Sequence, residues 1–228
     1  MAFNDLREFI DGAKRLGDVK EIHGAHWDLE IGALTEIFAG RQNSPLLLFD
    51  RIPGHPPNYR VASNLLIHPR RSALALGLPS EISKTELVLK WKEILKTVRR
   101  IPPKTVATGP LLENVRTGEA VDLAQFPTPR WHELDGGRYL GTACCVIVAD
   151  PDDGWVNVGI YRIQLHDRKT VGMYISPGHH ARIIREKYWA RGMSCPVAVT
   201  FGQEPLLWLA AGQSVAYGVS EYEYAGGL

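Results

Sequence analysis

No glycine-rich phosphate loop of the Rossmann or P-loop kind occurs in this chain, so neither of those nucleotide-binding designs is available to it. No apolar run approaches the roughly 20 residues that span a bilayer. Neither sign of charge dominates: 26 basic residues face 25 acidic ones, for a net charge of +1. There is thus no basic excess to steer the protein toward nucleic acid or an anionic membrane surface. The opening Met1-Ala2-Phe3-Asn4-Asp5-Leu6-Arg7-Glu8 lacks the basic-then-apolar order of a signal peptide, and cytoplasm is the expected location. Cysteine is scarce. Cys144, Cys145 and Cys195 supply neither a disulfide framework nor a zinc spacing. On a strand, adjacent Cys144 and Cys145 point to opposite faces and cannot share a metal. No internal repeat or low-complexity segment is evident.

What remains is ordinary for a folded protein: 228 residues, 45% hydrophobic and 22% charged, enough to bury a core in one large domain or two small ones. Leu6, Phe9, Ile10, Ala13 and Leu16 recur at helical spacing behind a possible Asn4-Asp5 cap. A short strand is expected over Val19 to Ile22, then a helix carrying Ile31, Leu34, Ile37 and Phe38 and ended by Gly40. Pro45 to Phe49 reads as a buried strand and Tyr59 to Leu66 as another. Ser83 and Glu86 fit a capping box, with Leu87, Trp91, Ile94, Leu95 and Val98 as the buried stripe of the helix that follows. Arg99 to Lys104, with its proline pair, reads as a linker. Domains are therefore expected over 1–104 and 105–228. After a second irregular crossing at Pro127 to Arg130, the runs Tyr139 to Ala149, Trp155 to Leu165 and Thr170 to Ile175 predict an antiparallel meander. A helix from about Gly178 to Ala190, a strand over Pro196 to Phe201, a short apolar segment over Pro205 to Ala211 and a glycine-containing loop complete the pattern. Ser220 and Glu223 then resemble a second capping box, opening a helix as the chain runs out, as in the front part of a longer protein or a domain whose partner lies elsewhere.

The chemistry-bearing residues cluster late. Asn157, in Asn157-Val158-Gly159-Ile160-Tyr161-Arg162, is either a strand-end amide bonded to its own backbone or a metal ligand. Alternation sets Asn157 and Tyr161 on one face and Arg162 on the other, so a bulge or twist, placed at Gly159, is expected if Asn157 and Arg162 are to reach one site. His179 and His180 open a helix after Pro177-Gly178. They are surface residues, ligands, or markers of a helix N-terminus suited to an anion. Glu221 is either an acid favoured by the helix dipole or a ligand. An amide oxygen, an imidazole and a carboxylate together suit Mg²⁺ or Mn²⁺ better than a thiophilic ion. Arg162 offers a planar fork to a phosphate or carboxylate. Tyr161, Tyr217, Tyr222 and Tyr224 either line an aromatic pocket or pack half-buried. His132, Glu133, Asp135 and Arg138 read as a solvated crossing.

Asp135-Gly136-Gly137-Arg138-Tyr139, Asp150-Pro151 through Gly154, the Asn157 to Arg162 stretch, Pro177-Gly178-His179-His180 and Ser220 through Gly226 together resemble the UbiD family of reversible decarboxylases, which use prenylated flavin mononucleotide. The resemblance spans the chain as the N-terminal half of a family member. It implies an α+β fold: an N-terminal α/β domain, then a split β-barrel of the flavin-reductase type that binds the cofactor, stopping before the C-terminal domain that mediates homo-oligomerisation. It implies Asn157, His180 and Glu221 as ligands of Mn²⁺ (or Mg²⁺), which grips the flavin phosphate, and Arg162 as the catalytic arginine that orients the substrate carboxylate. His179, the backbone of Val158, Gly159, Ile160 and Tyr161, and the loop from Ala210 through Gly212 and Gln213 would cradle the cofactor, with a K⁺ site nearby. Ferulic acid decarboxylase-like members carry methionine at the position of Gln213 and alanine at that of Tyr161.

The implied reaction is non-oxidative, reversible decarboxylation of an aromatic, heteroaromatic or α,β-unsaturated carboxylic acid. The two glutamates that complete the arginine's ion-pair network in the family lie downstream of Glu221, so this stretch alone is expected to be inactive. A flavin mononucleotide-dependent oxidoreductase and a non-catalytic cofactor-binding or assembly fragment are the alternatives.

Overall fold

A computed structural model describes residues 3–228. The first layer grows from one strand that is buried throughout. Strand β2 (Leu46–Asp50) lies between β1 (Val19–His23), which is parallel to it, and β3 (Val61–Ser63), which is antiparallel. Alternation sends Leu46 and Leu48 against Phe9, Ile10 and Ala13 of helix α1 (Leu6–Arg15), and Leu47 and Phe49 against Ile31 and Phe38 of helix α2 (Glu30–Ala39). The expected caps appear, with Asp5 accepting from the Glu8 amide at 2.9 Å and Gly40 closing α2. Strand β3 is shorter than the extended run over 59–66, because Asn58 and Asn64 on either side take left-handed φ values of 74° and 57°.

Two features of this unit escaped the sequence reading. Helix α3 (Pro69–Ala75) begins on a proline at its first turn and buries Arg71 completely. The Arg71 guanidinium pairs with Asp18 at 2.7 Å and donates to the carbonyls of Leu65, Ser44 and Asn64, so the buried charge is both paired and hydrogen-bonded. Helix α4 (Lys84–Thr97) forms the predicted capping box in both directions, but only Leu87 of its five-residue stripe is buried. Trp91, Ile94, Leu95 and Val98 remain half-buried.

The meander expectation fails, for a local reason. The run from Tyr139 to Ala149 breaks after β4 (Arg138–Gly141), and the chain restarts as β5 (Cys145–Ala149) in a different sheet. Gly141 sits at that break, where a Cβ would lie 2.6 Å from the Phe201 ring and 2.8 Å from Cys144 Cβ. The run from Trp155 to Leu165 breaks likewise at 160–162, between β6 (Val156–Gly159) and β7 (Ile163–Leu165). The Cys144 thiol donates to the Tyr161 carbonyl at 3.1 Å, tying the two breaks together. The result is two antiparallel three-stranded sheets. One has the order β4-β7-β8, with β8 at Val171–Met173; the other has the order β6-β5-β9, with β9 at Ala198–Thr200. A split barrel was expected; among the described residues the strands make these two sheets and no closed barrel.

Helices cover both faces of the β6-β5-β9 sheet. On one, Ala181 and Ile184 of α5 (His180–Ala190) pack with Cys144, Val146, Val148 and Tyr161. On the other, Ala211 and Leu207 of α6 (Pro205–Ala211) and Tyr222 of α7 (Glu221–Gly227) pack with Cys145, Val156, Val158 and Ile160. Cys144 and Cys145 thus face opposite cores as alternation requires, and burial raises their thiols to about 11 and about 12, where they are inert at neutral pH. The 99–104 linker is more than a spacer. The Ile101 amide donates to the Glu223 carbonyl at 3.0 Å, fastening the linker to α7.

Candidate active site

Period-two alternation along β6 organises the site. Val156, Val158 and Ile160 enter the α6–α7 core, so Trp155 and Asn157 belong to the face covered by α5. β6 is an edge strand, and the amide of Val158 points away from its partner β5. Glu221, the first residue of α7, closes that edge. Its carboxylate accepts from the Val158 amide at 2.7 Å and from Asn157 Nδ2 at 2.8 Å, with Glu221 and Asn157 each only 3% exposed. Burial pushes the Glu221 carboxyl up, and the Val158, Glu221 and Asn157 donors offset only part of that effect. The Oδ1 atom of Asn157 is buried with no hydrogen-bond partner among the described residues. Such an acceptor beside a buried carboxylate is unsatisfied by protein donors, and a cation would satisfy it.

His180, the first residue of α5, approaches from above the same face. Its ring lies 5.3 Å from the Trp155 ring and 5.5 Å from that of Tyr217, edge-on to both. Burial first, then the neighbouring His179, lowers its proton affinity and favours the neutral imidazole that binds metals. The structure therefore brings Asn157 and Glu221 into contact and packs His180 against Trp155, which shares the strand face of Asn157. Among the described residues no three His, Cys, Asp or Glu side chains cluster as a ready metal site, so a site here depends on the Asn157 amide oxygen.

The expected bulge at Gly159 is absent. β6 pairs with β5 in unbroken register from Val156 to Gly159. Gly159 is required for a different reason: the Tyr161 ring lies over it, and a Cβ would meet that ring at 2.6 Å. Tyr161 packs edge-on against His179 at 5.7 Å, meets the Ala181 amide, and has its hydroxyl raised to about 12, mainly by burial. The redirection that was placed at Gly159 comes instead from the 160–162 crossing between sheets. Beyond it Arg162 is exposed, with its guanidinium 4.0 Å over the Tyr139 ring of the other sheet. Gly212 caps α6 beside Ile160, whose Cδ1 lies 3.4 Å from where a Cβ would be. Gln213 instead turns its amide back onto the Leu209 carbonyl at 3.1 Å.

The second predicted capping box does not form: Ser220 caps the Tyr222 amide, and Glu223 pairs with Arg100 at 3.6 Å. Trp155 was missed, although it stands two residues before Asn157 and so shares its strand face. Tyr222 joins the α6–α7 core, so only Tyr161 and Tyr217 of the four tyrosines pack against the candidate histidines.

Two family descriptions match this sequence: the 3-octaprenyl-4-hydroxybenzoate carboxy-lyase N-terminal domain over residues 10–91 and the Rift-related domain of the same enzyme over 104–228. A pyrrole-2-carboxylic acid decarboxylase of Pseudomonas aeruginosa is 36% identical, over 98% of this chain and 46% of its own. A phenolic acid decarboxylase of Bacillus subtilis is 32% identical, over 100% and 49%. Among solved structures, the closed form of the Sedimentibacter hydroxybenzoicus vanillic acid decarboxylase superposes with a TM-score of 0.87 at 31% identity, over 99% of this chain and 48% of that one. The UbiD-class enzyme HmfF of Pelotomaculum thermopropionicum, an evolved dimeric form in complex with prenylated flavin mononucleotide, superposes at 0.85 with 28% identity, over 99% and 50%. The chain spans about half the length of these relatives. With both domain descriptions matched in order, it belongs to the UbiD family.

Proposed function

We propose that this chain is the cofactor-gripping part of a UbiD-type carboxy-lyase acting on an aromatic, heteroaromatic or α,β-unsaturated carboxylic acid. The observation that carries the proposal is the Asn157–Glu221 pair with its unpartnered Asn157 Oδ1, on the strand face where His180, at the α5 N-terminus, packs on Trp155 with its proton affinity lowered by burial. Oxygen, oxygen and imidazole donors fit Mn²⁺ or Mg²⁺, and that ion would anchor the cofactor phosphate at the α5 N-terminus. The backbone from Val158 to Tyr161 and the Ala210 to Gln213 loop, adjacent through Ile160 and Gly212, would cradle the flavin, with K⁺ held beside that loop. When bound, prenylated flavin mononucleotide would supply the electron sink that cleavage at an sp² carbon needs.

The chain's own residues do the remaining work. Tyr161 shields the α5 face of β6 from water, and Gly159 leaves it room to do so. Arg162, exposed and seated over the Tyr139 ring, presents its fork to an incoming carboxylate. Reversibility, the homo-oligomer and the proton-donating glutamates are proposed by family likeness alone.

The test is expression alongside an enzyme that prenylates flavin mononucleotide, followed by the absorption spectrum and mass of what co-purifies. The expected result is prenylated cofactor that is lost with chelation of Mn²⁺ or with His180→Ala. Flavin retained equally well without any divalent ion would sink the metal-anchored reading.

A further inference from the structure

We propose that Asp150, acting through Tyr217, is a positioning residue for His180, locking the imidazole in the orientation in which it meets a metal. The inference rests on the reading of His180 as a ligand. Asp150 follows β5 directly and is 3% exposed. Its Oδ2 accepts from Lys187 Nζ at 2.6 Å and from the Tyr217 hydroxyl at 3.1 Å, while Oδ1 accepts from the Asp152 amide at 2.9 Å. Every polar contact of this buried carboxylate is therefore explained, and one of them reaches out to a loop tyrosine that is itself 50% exposed.

An exposed loop tyrosine ordinarily rotates freely. This one is pinned at its hydroxyl by a charged acceptor, so its ring is held where it packs 4.7 Å from Trp155 and 5.5 Å from His180. Trp155 and His180 complete a triangle of mutually touching rings. His180 needs such support because it stands at the open end of α5, where His179 provides no side-chain cap. A metal-bound histidine is usually oriented by a hydrogen bond to its second ring nitrogen. Here the orientation comes from two ring edges, and the fixed point of the arrangement is Asp150. Lys187, two turns along α5 from His180, grips the same carboxylate, so the helix that carries the ligand is tied to the anchor that aligns it.

The test is a thermodynamic cycle on the whole chain, with free Mn²⁺ followed by electron paramagnetic resonance. Tyr217→Phe keeps the ring and removes only the hydroxyl. It is expected to weaken Mn²⁺ binding by about ten-fold, the usual scale for an outer partner of a ligand. In the His180→Ala background, where residual binding is read at millimolar Mn²⁺, the same change is expected to have no effect. Unaltered binding in Tyr217→Phe, or an equal loss in both backgrounds, overturns the positioning role and leaves the metal site standing. Mn²⁺ binding that His180→Ala does not weaken overturns the ligand assignment and the inference with it. Should Tyr217→Phe fail to fold, Asp150→Asn keeps an acceptor for the Asp152 turn, weakens the one offered to Tyr217, and is read by the same cycle and outcomes.

Discussion

Glu221 is held against its own chemistry. Burial raises its carboxyl, so the folded protein keeps that proton more tightly than the unfolded chain does. Its contribution to stability is complete below the ordinary carboxylate range and declines as pH rises through the folded-state value. In Glu221→Gln a flip of the Asn157 amide lets its Oδ1 accept from the new side-chain nitrogen while the new amide oxygen still accepts from Val158. Metal-free Glu221→Gln is therefore expected to melt no lower than the parent at neutral pH and to show a flatter pH dependence, while losing Mn²⁺ binding. Melting curves across the acid-to-neutral range check this, and a variant that melts well below the metal-free parent would refute it. Gly159 poses the complementary case. Gly159→Ala drives a methyl into the Tyr161 ring and should cost about 1–3 kcal/mol, the usual range for overpacking. Chemical denaturation of Gly159→Ala, Tyr161→Ala and the double variant should show most of that cost vanish once the ring is gone.

At the scale of elements, the sequence was legible wherever one local rule decided the outcome. Asp5 and Ser83 mark helix starts through side-chain oxygens that accept from amides three residues on, and Gly40 marks a helix end through its own amide, as all three do in the structure. Ser220 and Glu223 had the same spacing but a competing partner, since Arg100 draws Glu223 away. No window of sequence around Ser220 contains Arg100. The strand runs were legible as extended chain, yet their breaks at Gly141 and at 160–162 depend on Phe201 and Cys144, which alternation cannot see. The proposed ligand set Asn157, His180 and Glu221 came from family likeness. The placement of those residues, on one edge strand and at the starts of two helices, is a tertiary fact. Helix α7 shows what such a fact implies: a Cβ on Gly226 would lie 2.4 Å from the Ile101 carbonyl. Gly226→Ala should push α7 off the linker and loosen Glu221 from β6, although Glu221 lies at the other end of the helix. Faster hydrogen exchange at the Val158 amide is the expected sign, and unchanged protection there would count against the coupling.

Across the whole molecule, the first sheet meets the second unit along the 127–131 crossing. Arg130 exchanges main-chain hydrogen bonds with Trp27 and Leu29 and pairs with Asp28 at 2.6 Å, but that pair is about one-third exposed. Solvent screening leaves such a pair little net worth, so Arg130→Ala should be nearly silent in denaturation. Gly32 should not be silent. A Cβ there would lie 1.8 Å from the Trp131 carbonyl, a distance no rotamer change can relieve. Gly32→Ala is expected to destabilise the protein by several times as much as Arg130→Ala, and equal effects would show that close backbone approach does not hold this seam.

The edge of β6 carries one more implication, which concerns order of synthesis. Glu221, which closes that edge, is encoded more than sixty residues after Val158. At typical rates of about 5–20 residues per second, a ribosome exposes the strand seconds before its cover exists. Through that interval the nascent chain offers an unpaired strand edge, the kind of surface that recruits a neighbouring chain. A premature stop anywhere between the two residues should therefore yield insoluble material rather than a soluble, merely inactive product.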